Sequence, residues 1–406
     1  MKQLTDHITF RNGAEVNNRI IQTPMLTNSG IHEEAYEDTI RYYAARSQSA
    51  GMVVVEYTNV SPNGGPSRSW AENREQLAIY DDRFMPGMKK IAEALKKDGN
   101  KAILQLVHSG REAEYAVKLG RRCEVPFLVD YFWIDYPLHE LTEEETWQIV
   151  RDFGEGTRRA IECGFDGVEI HGANHYLIQE FFSAFSNKRT DFWGGSLEKR
   201  MNFPLEVARE VFRVVRECAP ENFIVGYRIS PEEVHGENIG YTWRESQKLL
   251  EKLTTEFPFD YIHYSTLNYN GAPTDPESAG ITKSQAQLMN EAVKAPTKTI
   301  VAGWIYGLDA MKDALNHADM IGLGRMTLID PEIGYKINNG LEDQISLSYN
   351  EEVFRKACLP QGLVELLAAT EAFHTPGMNM EYLETKAKED LGYAVKHTGH
   401  EEETQD

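Results

Sequence analysis

Val168-Glu169-Ile170-His171-Gly172-Ala173-Asn174-His175-Tyr176 is the stretch that decides how the rest of this chain is read. Its opening residues have the pattern of a short buried strand that ends in His171. Asn174 follows three residues on, and Tyr176 two further. Two neutral hydrogen-bond donors and a phenol thus arrive together at a strand end. That set suits holding a carbonyl oxygen and supplying a proton beside it. Downstream, Arg189 and Asp191 can pair, and Gly194-Gly195 permits a turn into a helix capped by Ser196. The block from Asn187 to Arg200 reads as a strut for the loop above it, with no chemical role.

Working outward, similar buried runs recur at Ile20–Pro24, Met52–Tyr57, Ala102–His108, Gly167–His171, Phe223–Ile229, Tyr261–Tyr264, Thr299–Ala302 and Met320–Leu323. Helical patterns lie between them. One opens on the capping box Thr142-Glu143-Glu144-Glu145 and runs to about Glu162. The helix capped by Ser196 runs to about Cys218, and another spans Thr242 to about Phe257. Strands alternating with helices in this number predict an α/β fold of the (β/α)8 TIM-barrel type. An open doubly wound sheet is the main rival, but no Gly-x-Gly-x-x-Gly follows the first strand.

Two segments fall outside this plan. Gly110 to Leu138 is a long excursion after the third strand, rich in aromatics (Tyr115, Phe127, Tyr131, Phe132, Trp133, Tyr136). It reads as a lid over the barrel mouth or as a surface-packed loop. The barrel is expected to occupy residues 1–338, and residues 339–406 to form a helical C-terminal extension. Its acidic tail from Gly399 to Asp406 has no core-forming residues and is expected to be disordered or frayed.

The net charge is −21, which disfavours nucleic acid and anionic membrane surfaces by repulsion. No apolar run approaches the roughly 18–20 residues of a membrane span, and Met1 to Arg11 does not read as a signal peptide. Cys123, Cys163, Cys218 and Cys358 are scattered, without zinc or iron–sulfur spacing. They fit free thiols in a reducing, cytoplasmic setting. No metal is expected, and a homo-oligomer is left open.

In such a barrel the chemistry sits at the C-terminal ends of the strands. The seventh strand ends in Val301-Ala302-Gly303-Trp304 and the eighth in Gly322-Leu323-Gly324-Arg325. Glycines let backbone amides approach an anion, and Arg325 adds a charged fork. Phosphate is the expected ligand there. Gln105 ends the third strand and Arg228 the fifth. A Gln can bond a pyrimidine-like edge, and an Arg can stabilise negative charge beside it, although a structural salt bridge also explains a lone Arg.

With these residues in view, the chain resembles the Old Yellow Enzyme family of FMN-dependent oxidoreductases, closer to its bacterial NADH-dependent flavin oxidoreductase branch. The resemblance covers about residues 5–335. It rests on Asn18-Arg19-Ile20 with Thr23-Pro24-Met25, on Glu56-Tyr57-Thr58-Asn59-Val60, and on Gln105-Leu106-Val107-His108-Ser109-Gly110-Arg111. It rests further on His171-Gly172-Ala173-Asn174-His175-Tyr176-Leu177, Ser186-Asn187-Lys188-Arg189 with Asp191, Trp193-Gly194-Gly195-Ser196, and Gly324-Arg325.

The resemblance implies non-covalent FMN and NADH or NADPH as reductant. Thr23, Pro24, Met25 and Leu26 would lie along the isoalloxazine, with Asn59 touching the ring. Gln105 would bond its pyrimidine edge, and Arg228 would sit by N1. Gly303, Gly324 and Arg325 would hold the phosphate. His171 and Asn174 would bind the oxygen of a small-molecule substrate, and Tyr176 would donate the proton. Hydride would pass through flavin N5 to α,β-unsaturated carbonyls, quinones or nitro compounds. Leu26 stands where relatives often carry Thr or Cys contacting the flavin, so that tuning is absent or passed to Thr27. Asn28 stands where the bacterial branch often has an aromatic facing substrate, which predicts a more open, polar substrate pocket.

Three alternatives stand against this reading. Dienoyl-CoA reductases and amine dehydrogenases would need clustered cysteines. A non-redox aldolase or isomerase would need a Schiff-base Lys or paired carboxylates at the strand ends. A flavin-binding protein without turnover would need nothing that this sequence lacks.

Overall fold

The computed structural model describes residues 2–67, 74–370 and 377–389. Eight parallel strands close into a barrel: β1 (Ile20–Gln22), β2 (Met52–Asn59), β3 (Lys101–Val107), β4 (Gly167–Gly172), β5 (Ile224–Ile229), β6 (Tyr261–Ser265), β7 (Lys298–Ala302) and β8 (Met320–Leu323). Each expected strand is present. Closure comes from β8 against β1, with Ile321 opposite Ile20 and Leu323 opposite Gln22.

Strand side chains alternate between the two faces. Val53, Val55, Leu104, Val168, Ile170 and Ile262 belong to the large core shared with the surrounding helices. Ile21, Met52, Val54, Ile103, Ile224, Ile300 and Met320 form a second apolar cluster. A short N-terminal ribbon, Ile8–Thr9 paired with Glu15–Val16, adds Ile8, Phe10 and Val16 to that cluster and seals it. Each such side chain fully buried contributes roughly 1.5–3 kcal/mol. One step further along the strands the pattern turns polar. Gln105 pairs in register with Glu169, and Arg228 with both His171 and His263. This polar layer, at the C-terminal ends, is where the chemistry has to sit.

The helix Glu143–Glu162 starts where expected, on the reciprocal capping box of Thr142 and Glu145. Such a cap is worth about 1 kcal/mol. The helix expected from Ser196 to Cys218 is instead two. Ser196 caps only Leu197–Arg200, and a new helix runs from Asn202 to Cys218. Pro204 explains the break. It lacks an N–H and fits only the first turn of a helix, so one must begin just before it.

The excursion after β3 folds as a short turn of helix, Glu114–Lys118, and a ribbon in which Cys123–Val125 pairs with Leu138–Glu140. The described part of the C-terminal segment is helical, at Glu351–Ala357, Gln361–Ala369 and Met380–Ala387. It packs on the barrel. Arg46 donates to the carbonyls of Tyr42 and Ala357, both at 2.8 Å. Gly362 lies so close to the Asn28 carbonyl that a Cβ there would be 2.0 Å from it. The acidic tail lies outside the described residues. Among the described residues no helix is long and apolar enough to cross a membrane.

Candidate active site

A cavity of about 380 Å³ opens at the C-terminal end of the barrel. Thr23, Pro24, Met25 and Leu26 line one side, from the loop after β1. Gly303, Gly322, Gly324 and Arg325 line another, after β7 and β8. Arg228, Ser265, Asn174 and Tyr176 complete the part that matters for chemistry.

The glycines make this space. A Cβ on Gly322 would come within 2.6 Å of Thr23 and 2.9 Å of Ala302. One on Gly324 would meet the Met25 sulfur at 2.9 Å. Arg325 stacks over the Trp304 ring at 4.2 Å, which fixes the direction of its guanidinium.

Below lies a buried polar network. Gln105 Nε2 donates to Glu169 at 2.7 Å, and His263 Nδ1 lies 2.9 Å from the other carboxylate oxygen. Burial alone would raise the Glu169 pKa, but His263, Arg228 and Gln105 more than offset it and hold it below the usual value. The Arg228 pKa is itself lowered by burial. Its Nη2 donates to Ser265 Oγ at 3.1 Å, while its Nε has no partner. A buried, incompletely bonded guanidinium beside a cavity is costly unless an anionic or polar ligand completes it.

Ser265 carries the connection onward. Its hydroxyl donates to Asn174 Oδ1 at 2.8 Å, which fixes the amide with Nδ2 as its donor. Asn174 holds a left-handed backbone, φ +57°, and its N–H donates to Ser230 Oγ at 3.0 Å. Burial, with Arg228 and His263 nearby, drives the His171 pKa well below its ordinary value, so the ring is neutral. The Ala173 N–H donates to its Nδ1 at 3.2 Å, leaving Nε2 as the protonated nitrogen. Tyr176 packs edge-on against His171 and Tyr57, each with ring centroids 5.0 Å away.

Most of the residues singled out in the sequence therefore meet. Thr23 to Leu26, Asn174, Tyr176, Arg228, Gly303, Gly324 and Arg325 all line the cavity, with His171 packed against Tyr176. Gln105 lies within the polar layer beneath. Two residues are placed elsewhere. Asn59, at the end of β2, is fully buried and reaches Glu33 at 3.5 Å. Asn28 is fully buried, accepts from Gln76 and backs onto Gly362, so it does not open the substrate space. Thr27 is no substitute for the polar group that Leu26 lacks. Its N–H and hydroxyl both donate inward to Glu56, whose pKa burial raises to about 8. Ser265 and Glu169 were given no role in the sequence, and their contacts reveal them: Ser265 accepts from Arg228, and Glu169 joins Gln105 to His263, which pairs in register with Arg228.

Fold and site together define a (β/α)8 barrel with a glycine-cleared, partly charged cavity at the C-terminal ends of its strands, where such barrels act on their ligands. The profile of the NADH:flavin oxidoreductase / NADH oxidase family matches residues 3–344, and the chain belongs to that family. It is 38% identical over 376 residues to the probable NADH-dependent flavin oxidoreductase YqiG of Bacillus subtilis (strain 168), covering 92% of this chain and 97% of that one. It is 36% identical over 379 residues to the NADH:acrylate oxidoreductase of Vibrio harveyi, covering 90% of this chain but only 36% of that longer protein. The structure of morphinone reductase superposes with a TM-score of 0.70 at 25% identity, covering 87% of this chain and 93% of the other. The chain is an NAD(P)H-dependent flavin oxidoreductase, and FMN is its cofactor.

Proposed function

We propose that the cavity at the strand ends holds FMN and an electron-poor substrate together, and that the chain reduces α,β-unsaturated carbonyls, with quinones and nitro compounds as further acceptors. The observation that carries this is the chain Arg228–Ser265–Asn174, which links a buried cation to an oriented amide donor beside Tyr176. The cavity fits FMN, because its glycines clear the space and Arg228 lacks a partner at Nε. Bound FMN would supply the two-electron hydride chemistry.

The chain's own residues do the rest. Gly303, Gly324 and Arg325 take the phosphate. Arg228 favours negative charge on the pyrimidine side. His171 and Asn174 donate to the substrate oxygen, which withdraws electron density from the β-carbon. Tyr176 places a proton at the α-carbon. Two relatives are an NADH:acrylate and an NADH:fumarate oxidoreductase, of whose lengths this chain covers 36% and 42%; acrylate and fumarate each carry a carbon–carbon double bond conjugated to a carboxyl group, which supports the ene reading.

The test uses the purified yellow protein, mixed anaerobically with NADH and then with enones, quinones and nitro compounds in turn. Loss of flavin absorbance with NADH and its return with an enone is the expected result. Return with none of the three classes would overturn the proposal.

A further inference from the structure

A second cavity, of about 640 Å³, opens beside the first, lined by Trp133 and Phe132 of the excursion and by Phe185, His175 and His235. Behind it a short ribbon pairs Glu233–His235 with Asn238–Tyr241. One ligand atom from each of His175, Glu233 and His235 lies within 4.8 Å of the others, the one such group among the described residues. We propose that His175, Glu233 and His235 form a site for a divalent transition-metal ion of the Zn2+ class, bound by two imidazole nitrogens and one carboxylate oxygen, with its remaining positions open to water.

The geometry is close to what such an ion needs. His235 Nε2 lies 3.2 Å and His175 Nδ1 4.0 Å from the same oxygen, Oε1 of Glu233. Ligands about 2.0–2.1 Å from a tetrahedral zinc are roughly 3.4 Å apart. Of the three pairs, one is therefore already at that spacing, the second closes by about half an ångström, and the two imidazoles lie within 4.8 Å of each other. Two imidazoles and a carboxylate are a donor set that zinc accepts without thiolate.

Gln179 supports two of the ligands. Its Nε2 donates to Glu233 Oε2 at 3.1 Å, and its Oε1 accepts from the His175 N–H at 3.0 Å. Second-layer bonds of this kind fix ligand orientation. The ion would replace two weaker contacts, His235 with Glu233 and Gln179 Nε2 with His175 Nδ1, the latter at 3.2 Å. Arg111 opposes it, with Nη2 3.4 Å from Glu233 Oε1, but Glu112 lies 3.5 Å from Arg111 Nε and offsets part of that charge.

His175 itself holds φ +67°, a conformation that disfavours any residue with a Cβ. An ion at this place would tie the segment carrying Asn174 and Tyr176 to the ribbon Glu233–Tyr241. That consequence rests on the function proposed above, but the site does not.

The test titrates the flavin-loaded protein with Zn2+ by calorimetry, and with Co2+ by absorbance beyond the flavin bands. Cys218 and Cys358 are replaced by Ser, because neither is buried and both could take the ion. One Zn2+ per chain is expected, weakened about tenfold or more by His235→Ala, with FMN content unchanged. Folding of this variant is checked by that FMN content, and His235→Asn serves as a milder second variant. No saturable binding, or equal affinity in wild type and both variants, would overturn the site. Binding is read without substrate, so a failed substrate panel leaves this result standing.

Discussion

Two cavities share one short segment of chain and use it in different ways. Asn174 and Tyr176 line the first, and His175, between them, lines the second. The left-handed conformations of Asn174 and His175 accompany this division of consecutive side chains. The surroundings differ as sharply. The first cavity is cleared by glycines at strand ends and floored by a buried charged network. The second is walled by aromatic rings and imidazoles on loops and a β-ribbon. Rigid strand ends hold a site more precisely than loops do, and in the second cavity the ribbon Glu233–His235 supplies that rigidity for two of the three ligand side chains.

The comparison would break first at Tyr176, if its hydroxyl served packing alone. A positioned proton donor contributes about 10²–10⁴-fold. Tyr176→Phe should slow enone reduction by that order, with flavin reduction by NADH and the reduction of quinones nearly unchanged. Stopped-flow measurement of the two half-reactions checks this, and equal enone rates would assign the ring to packing. Arg325→Ala tests the anion end. A charged hydrogen bond is worth roughly 1.5–3 kcal/mol, so FMN should bind about 10–100-fold more weakly in a fluorescence titration. Unchanged affinity would move the phosphate elsewhere.

Ser265→Ala sharpens the first cavity's side of the contrast. It removes the link between Arg228 and Asn174 at a cost of about 1 kcal/mol, near fivefold. The loss should appear in enone turnover, with FMN affinity retained. Loss of FMN alone would make Ser265 part of the cofactor site only.

A last effect, on stability and not on activity, concerns the wall under Leu26 and Thr27. Burial raises the Glu56 pKa to about 8 in the folded protein. The folded state then holds a proton that the unfolded state has released, and stability falls as pH rises from about 4.5 to about 8. Glu56→Gln should flatten that part of the curve of Tm against pH. Parallel curves for variant and wild type would mean that Glu56 is ionised in the fold.

The barrel was legible because each strand is a short run of buried residues between helices with recognisable caps. Thr142 and Ser196 announced theirs, and only Pro204 spoiled the length of one. The position of His171, Arg228 and Arg325 around the cavity was legible for the same reason, since all three stand at or just beyond strand ends. The roles of Asn28 and Asn59 came from the resemblance alone, and both side chains are buried on other partners, outside the cavity lining. Ser265 gave no signal, since a serine ending a strand is common and its meaning comes from Arg228 and Asn174 on other elements. The His175, Glu233 and His235 group is a meeting of a loop with a β-ribbon, which spacing along one chain cannot show.

Closure of β8 on β1 has a consequence for how the protein is made. The Thr23 N–H donates to the Leu323 carbonyl at 3.0 Å, and Arg325 follows two residues later. At about 5–20 residues per second, a ribosome takes roughly 15–60 seconds to go from one side of that bond to the other. Through that interval β1 lacks its partner β8, and the loop from Thr23 to Leu26 lacks the glycines that shape its space. The cofactor thus has no complete site to enter until synthesis has passed Arg325, long after the residues of the first loop that will touch it were made.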